Sequence, residues 1–243
     1  MELIIAKNYD QLSAFAADFV VKEFEEKPKM VLGLATGSTP LGLYKYLIKL
    51  NRDKIISFKN ATTFNLDEYY GLGSFDDQSY RFFMNKNLFS EIDIDLKNTH
   101  VPDGLAAKKD IDNYCRKYDD LILKAGGIDL QILGIGNNGH IGFNEPGSPL
   151  NSKTRLVKLT PETIRANSRF LKNKNEVPRE AISMGLATIF CAKKIVLLAS
   201  GKDKAKAIKK LFESKPTPNL PASILVNHFD ATVIADKQAA SLL

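Results

Sequence analysis

The feature that most restricts the fold of this chain is an alternation. Short, mainly apolar runs alternate along the chain with stretches whose apolar residues return at helical spacing. The runs cover residues 3–6, 30–34, 61–66, 128–133, 195–198 and 231–235, with 155–159 as a further strand. Between the first two, Leu12, Phe15, Ala16, Phe19 and Val20 recur on one helical face. Helices are likewise expected over 40–50, 107–125, 177–191 and 202–213, and after Ser79, a residue suited to cap one. Gly126 and Gly127 stand where glycine commonly ends a helix. Strands that are apolar at every position are buried on both faces, as in a parallel sheet, and the helices between them make right-handed crossovers. The expected fold is α/β: an open, doubly wound, mainly parallel sheet with helices on both faces (Rossmann-like). No repeat, low-complexity stretch or composition shift marks a linker, so residues 1–243 are expected to form a single domain.

Composition narrows the class. The 243 residues are 44% hydrophobic and 26% charged, which is unlike a disordered, fibrous or coiled-coil chain. No apolar run nears the roughly 18 residues of a membrane helix, and the first strand is too short for a signal peptide. Cys115 and Cys191 lie far apart in apolar patterns and read as buried thiols of a reducing cytoplasm. The net charge of +6 would suit nucleic acid, a membrane surface or an anionic small substrate. Its distribution favours the last. The densest cluster, Lys202, Lys204, Lys206, Lys209 and Lys210, shares a helix pattern with the apolar residues Ala205, Ile208, Leu211 and Phe212, as on a solvated helix face. Nucleic acid and membrane are not expected as partners.

In an open α/β sheet, ligands bind beyond the carboxyl ends of the strands. Three such ends stand out. Residues 33–40 form a Gly/Ser/Thr loop ending in Pro40, where a helix begins. Gly37, Ser38 and Thr39 there offer backbone amides and hydroxyls to an anion. The loop matches neither the Walker lysine pattern nor G-x-G-x-x-G, so a sugar phosphate fits better than a nucleotide; the alternative is an ordinary tight turn. Asp67 and Glu68 follow a strand directly. Burial there raises a carboxyl toward a useful base, and neighbours on an extended segment point opposite ways, so one of the two faces the site. The alternative is a turn-forming acid beside a surface acid. Residues 134–146 are glycine-rich and carry Asn138, His140 and Glu145. Histidine titrates near neutral pH and is the natural proton shuttle, whereas one His and one Glu are too few for a metal site. His100 and His228 lack such surroundings and are expected to be structural or on the surface. Lys204, in the first turn of a helix, and Arg169 are the cations that would complete a phosphate site; each alone also reads as a surface charge.

Taken together, residues 33–40, 64–69 (Phe-Asn-Leu-Asp-Glu-Tyr), 134–146 and 165–169 (Arg-Ala-Asn-Ser-Arg) are more specific than any one of them. The chain resembles the glucosamine-6-phosphate deaminase (isomerase) family, in its short, non-allosteric type, from Leu3 to Asp236. The resemblance implies conversion of D-glucosamine 6-phosphate and water into D-fructose 6-phosphate and ammonia, in amino sugar breakdown. It implies no redox cofactor and no metal. Asp67 would move the C2 proton to C1, His140 and Glu145 with Asn138 would assist ring opening, and Gly37, Ser38, Thr39, Arg169 and Lys204 would hold the phosphate. The segment around 160–182 looks like the family's mobile lid.

Two departures are visible. Longer, hexameric members of the family carry aspartate where Asn138 stands; shorter members also have asparagine, so the expected difference lies in the pH dependence of ring opening. The longer type is activated by N-acetylglucosamine 6-phosphate at a subunit interface. There Arg155 matches, but Val157 replaces a lysine, and the chain ends soon after Asp236. No such activation is expected, and the expected state is a monomer or a low-order homo-oligomer. A 6-phosphogluconolactonase-like hydrolase and a non-catalytic sugar-phosphate sensor are the alternatives. The sensor would normally carry a DNA-binding segment, for which this chain has no room.

Overall fold

The structure is a computed structural model and describes residues 1–167 and 178–243. The chain opens with β1 (Glu2–Ala6), α1 (Tyr9–Glu26), β2 (Val31–Leu34), α2 (Leu41–Arg52), β3 (Thr62–Asn65) and β4 (Asp67–Tyr69). It continues through α3 (Tyr80–Asn87), β5 (Thr99–His100), α4 (Ile111–Lys124), β6 (Leu130–Gly134), β7 (Arg155–Lys158) and α5 (Pro161–Asn167). It closes with β8 (Glu180–Ser183), α6 (Leu186–Phe190), β9 (Lys194–Ala199), α7 (Ala205–Glu213) and β10 (Ala231–Asp236).

Seven strands form one sheet in the order β1-β10-β9-β6-β2-β3-β5, and every pairing in it is parallel. The unbroken apolar runs follow from covering both faces. Ile132, Val196, Leu198 and Ile234 pack with Leu12, Val20 and Leu47 of α1 and α2 on one side. Leu133, Ile195, Leu197 and Val233 pack with Ile122 and Ile208 of α4 and α7 on the other. Each such side chain contributes about 1.5–3 kcal/mol on burial. The helix starts behave as the sequence implies: Ser79 Oγ accepts the Phe82 N–H at 3.1 Å, a cap typically worth about 1 kcal/mol. Pro40 stands one position earlier than the pattern suggests, at the N-cap of α2. In mid-sheet, Gly33 of β2 aligns with Gln131 of β6. A Cβ on Gly33 would fall 2.0 Å from Gln131 Oε1, so the fully buried amide occupies the room the glycine leaves.

Two readings need correction. Residues 177–191 are not largely helical. Glu180–Ser183 is the middle strand of a separate antiparallel sheet, β4-β8-β7, paired with Asp67–Tyr69 on one side and Arg155–Lys158 on the other. Those two ladders outweigh local preference, and only Leu186–Phe190 stays helical. Leu66 is where the chain changes sheets: its N–H donates to Leu34 O (3.1 Å) and its carbonyl accepts the Met184 N–H (2.7 Å). Cys115 is buried as expected, but Cys191 is exposed, because it caps the solvent end of α6 while Leu186 and Ile189 point inward. His100 stacks on Phe64, and His228 is buried with Nε2 2.8 Å from Ala192 O. Among the described residues, no helix is long and apolar enough to cross a membrane.

Candidate active site

From β2 the chain builds outward through β3 to β5, then returns to lay β6 against the other side of β2. Strand order therefore reverses between β2 and β6, and such a switch point opens a crevice at the carboxyl ends. A cleft of about 350 Å³ lies there. Its walls come from the loop after β2 (Gly37, Ser38, Thr39), from Asp67 just past β3, from Asn138 and His140 after β6, and from Lys204 after β9. Thus four strand ends converge on one cavity.

One end is built for an anion. Gly37 sits at φ 98°, a conformation that favours glycine. Among the described residues, the amides of Gly37, Ser38 and Thr39 meet no hydrogen-bond acceptor, and they precede the N-terminus of the 12-residue helix α2. Tyr9 braces the loop from behind: its hydroxyl lies 2.9 Å from the carbonyl oxygens of both Ser38 and Thr39, and accepts the Gly42 N–H at 2.7 Å. Lys204 Nζ reaches back to Asn137 Oδ1 at 2.6 Å and stays 3.5 Å from Asp203. Its loop is anchored by buried Asp236, which accepts from Ser200 Oγ (2.6 Å) and Gly201 N–H (3.0 Å). Arg169 lies outside the described residues, as does part of the expected lid.

Asp67 is 6% exposed. Among the described residues its carboxyl meets no hydrogen-bond donor, and its neighbours include the ring of Tyr80 and the bare backbone of Gly142. A Cβ on Gly142 would stand 3.4 Å from Asp67 Oδ2, so the glycine keeps that approach open. Burial, and after it the charge of Glu68, pushes the Asp67 carboxyl up to about 8.

The opposite wall is wired differently. Asn138 Oδ1 accepts the His140 backbone N–H at 3.1 Å, which fixes the amide's orientation. His140 Nδ1 is 2.8 Å from the same oxygen; an amide oxygen only accepts, so Nδ1 is the donor. Asn138 Nδ2 donates to Glu145 Oε2 at 2.8 Å, while His140 Nδ1 itself stays 3.5 Å from that oxygen. The chain of contacts is therefore carboxylate, amide, imidazole. Thr163 of α5 donates to the other Glu145 oxygen. Burial alone would raise the Glu145 carboxyl, but His140, Thr163 and Asn138 outweigh it and hold it at about 2. A Cβ on Gly136 would fall 2.2 Å from His140 Cε1, so the ring lies directly on backbone.

Sequence reasoning missed Tyr9, Tyr80, Asn137 and Thr163. Asn137 alone had a visible signal, its place inside the glycine-rich loop. Among the described residues, no three His, Cys, Asp or Glu side chains gather as a metal centre would require.

Comparison with known proteins decides the family. Residues 7–234 match the family described as glucosamine-6-phosphate isomerases/6-phosphogluconolactonase. The chain belongs to this family. Among members of the glucosamine-6-phosphate isomerase/6-phosphogluconolactonase family, the glucosamine-6-phosphate deaminase of Thermoanaerobacter sp. (strain X514) is 56% identical over all 243 residues, 95% of its own length. The glucosamine-6-phosphate deaminase of Clostridium acetobutylicum is 50% identical, with both chains fully covered. A solved monomeric glucosamine-6-phosphate deaminase superposes at a TM-score of 0.96, with 46% identity and full coverage of both chains. The 6-phosphogluconolactonase from Trypanosoma cruzi shares the fold at a TM-score of 0.78 and 21% identity, covering all of this chain and 96% of that one.

Proposed function

We propose that this chain converts D-glucosamine 6-phosphate and water into D-fructose 6-phosphate and ammonia. The observation that carries this reading is Asp67: a buried carboxyl of raised proton affinity, set in one cleft between a phosphate loop and a histidine relay. Lactone hydrolysis, the other chemistry in the family description, breaks a C–O bond and takes no proton from carbon. It needs no base aimed at a sugar carbon. The relatives of 46–56% identity over the full chain support the same choice.

In this reading the phosphate docks on Gly37, Ser38 and Thr39 with Lys204, and Arg169 joins them. The bound ring then reaches the two proton carriers together, and such positioning is a large part of the rate. His140 Nε2 takes the O1 proton and returns one to O5, so the C1–O5 bond breaks and the open-chain aldehyde forms. Glu145, through Asn138, keeps Nδ1 turned to the amide and Nε2 turned to the substrate while this happens. Asp67 then removes the C2 proton while the C2 ammonium gives one to O1, giving an enolamine, and Asp67 hands its proton to C1, giving an iminium at C2. Water adds there and ammonia leaves. A cationic amine at C2 favours the ionised form of Asp67, so substrate binding draws the carboxyl toward the basic form it needs. Residues 1–243 act as one catalytic unit, in the cytoplasm, as a monomer or low-order homo-oligomer.

The test is to incubate the purified protein with glucosamine 6-phosphate alone and assay ammonia and fructose 6-phosphate together, with 6-phosphogluconolactone as a parallel substrate. Equal release of both products, lost in Asp67→Asn, is expected. Lactone hydrolysis without ammonia release would overturn the proposal, as would sugar-phosphate binding with no product. Sedimentation as a stable hexamer would overturn the low-order state.

A further inference from the structure

Asp67 and Glu68 are consecutive in β4 but serve opposite sides. Asp67 lines the catalytic cleft, whereas Glu68 lines a second cavity of about 270 Å³ with Arg81 and Asp103. The proton-transfer scheme gives Glu68 no task, yet it is 2% exposed, a costly place for a carboxylate without a reason.

Its contacts supply one. The carboxylate accepts three backbone N–H groups: Tyr69 at 2.8 Å, Tyr80 at 2.8 Å and Arg81 at 2.9 Å. The last two are the opening amides of α3, which have no acceptor within the helix. Glu68 therefore clips the start of α3 onto the strand that carries Asp67, and Tyr80 is the first residue of that helix. The Tyr80 ring lines the cleft, its centroid 4.8 Å from that of Tyr69 and 6.0 Å from that of Phe143, and forms part of the dry wall around Asp67. Arg81 only partly balances the Glu68 charge, because its guanidinium is committed to Thr99, with Nη1 to Oγ1 and Nη2 to the carbonyl oxygen, both at 2.7 Å.

We propose that Glu68 is a positioning residue: its carboxylate fixes Tyr80 as a wall over Asp67, and its negative charge, one residue away, strengthens Asp67 as a base. The kinetic part rests on the deaminase reading; the electrostatic part does not. Other ionisable groups surround the pair. The charge of Asp67 reaches Tyr80 from α3 and Tyr118 from α4. Arg81 from α3 faces Glu68, with Asp103 beside the same cavity and His100 and Tyr114 beyond Arg81. Burial pushes the Glu68 carboxyl up to about 7 against the pull of its three amides and Arg81, so its charge appears in the range where Asp67 itself titrates.

The experiment is a carbon-13 NMR titration of the Asp67 carboxyl in the free protein, assigned by its loss in Asp67→Asn, alongside the pH profile of ammonia release. Glu68→Gln should lower the Asp67 midpoint by about one unit and carry the acid limb of kcat/KM down with it. Glu68→Asp keeps the charge but shortens the reach. It should leave the midpoint in place while kcat falls about tenfold with KM nearly unchanged, the mark of a displaced wall. An unmoved midpoint in Glu68→Gln overturns the electrostatic role, and wild-type kcat in Glu68→Asp overturns the positioning role. Should Glu68→Gln not fold, the wild type still decides: coupled carboxyls give a two-step Asp67 curve, and a single clean step would sink the coupling. A shifted midpoint in a protein that releases no ammonia would uphold the coupling and fail the deaminase reading instead.

Discussion

The two walls of the cleft treat a carboxyl in opposite ways. On the β4 side, Asp67 is buried, among the described residues is offered no donor, and lies beside the charge of Glu68, so its proton is held up to about 8. On the other side, Glu145 is as buried, at 8% exposure against 6%, but Asn138 and Thr163 donate to it beside the His140 ring, and it loses its proton down to about 2. Burial is shared; hydrogen bonding decides the sign. One chain thereby keeps a strong base in the cleft and an anion behind the Asn138 and His140 that line it, the division of labour that acid–base chemistry near neutral pH requires.

The comparison is broken most severely at Asp67. Asp67→Asn should reduce turnover by about 10³-fold. It should also stabilise the fold in alkali. The folded pKa lies above the unfolded one, so ionisation opposes folding and wild-type stability should decline from about pH 4 to about pH 8; the asparagine removes that slope. Urea unfolding at pH 5 and pH 9 checks the sign. Glu145→Gln should behave as the mirror image, with turnover down about 10²-fold. The depressed pKa means that Glu145 stabilises the fold above about pH 4.5 and loses that contribution as pH falls toward 2. The glutamine variant should be less stable at pH 7 and show a flatter acid-unfolding curve. Lys204→Met leaves both carboxyls in place. It should raise KM about tenfold and weaken competition by inorganic phosphate, with kcat within about twofold. Asn138→Asp should have the smallest effect. It adds an anion beside His140 and raises the ring's affinity for its proton, so the limb of kcat set by ring opening should move to higher pH.

The parallel sheet was legible because burial on both faces leaves an unbroken apolar run, and the glycine loops were legible because backbone conformation dictates residue type. Gly37, Asp67, Asn138, His140 and Lys204 come together as the strand ends implied. The opposed directions of Asp67 and Glu68 follow from strand geometry, but Glu68 is a buried clip and not a surface acid. Other features lay beyond the sequence for one reason: they depend on contacts between distant segments. Residues 180–183 carry no strand signature of their own and become β8 through partners more than 20 and 100 residues away. Tyr9 looks like any residue opening a helix until its hydroxyl meets the carbonyls of Ser38 and Thr39. Thr163 opens no pattern at all, yet after His140 it helps to hold Glu145 ionised.

The bare Cα of Gly33 beneath the Gln131 amide has a consequence for descent. A side chain at 33 would overlap the end of the one already at 131, so alanine or serine at 33 requires the Gln131 amide to shift or shorten. Across relatives the two columns should therefore tend to change in concert.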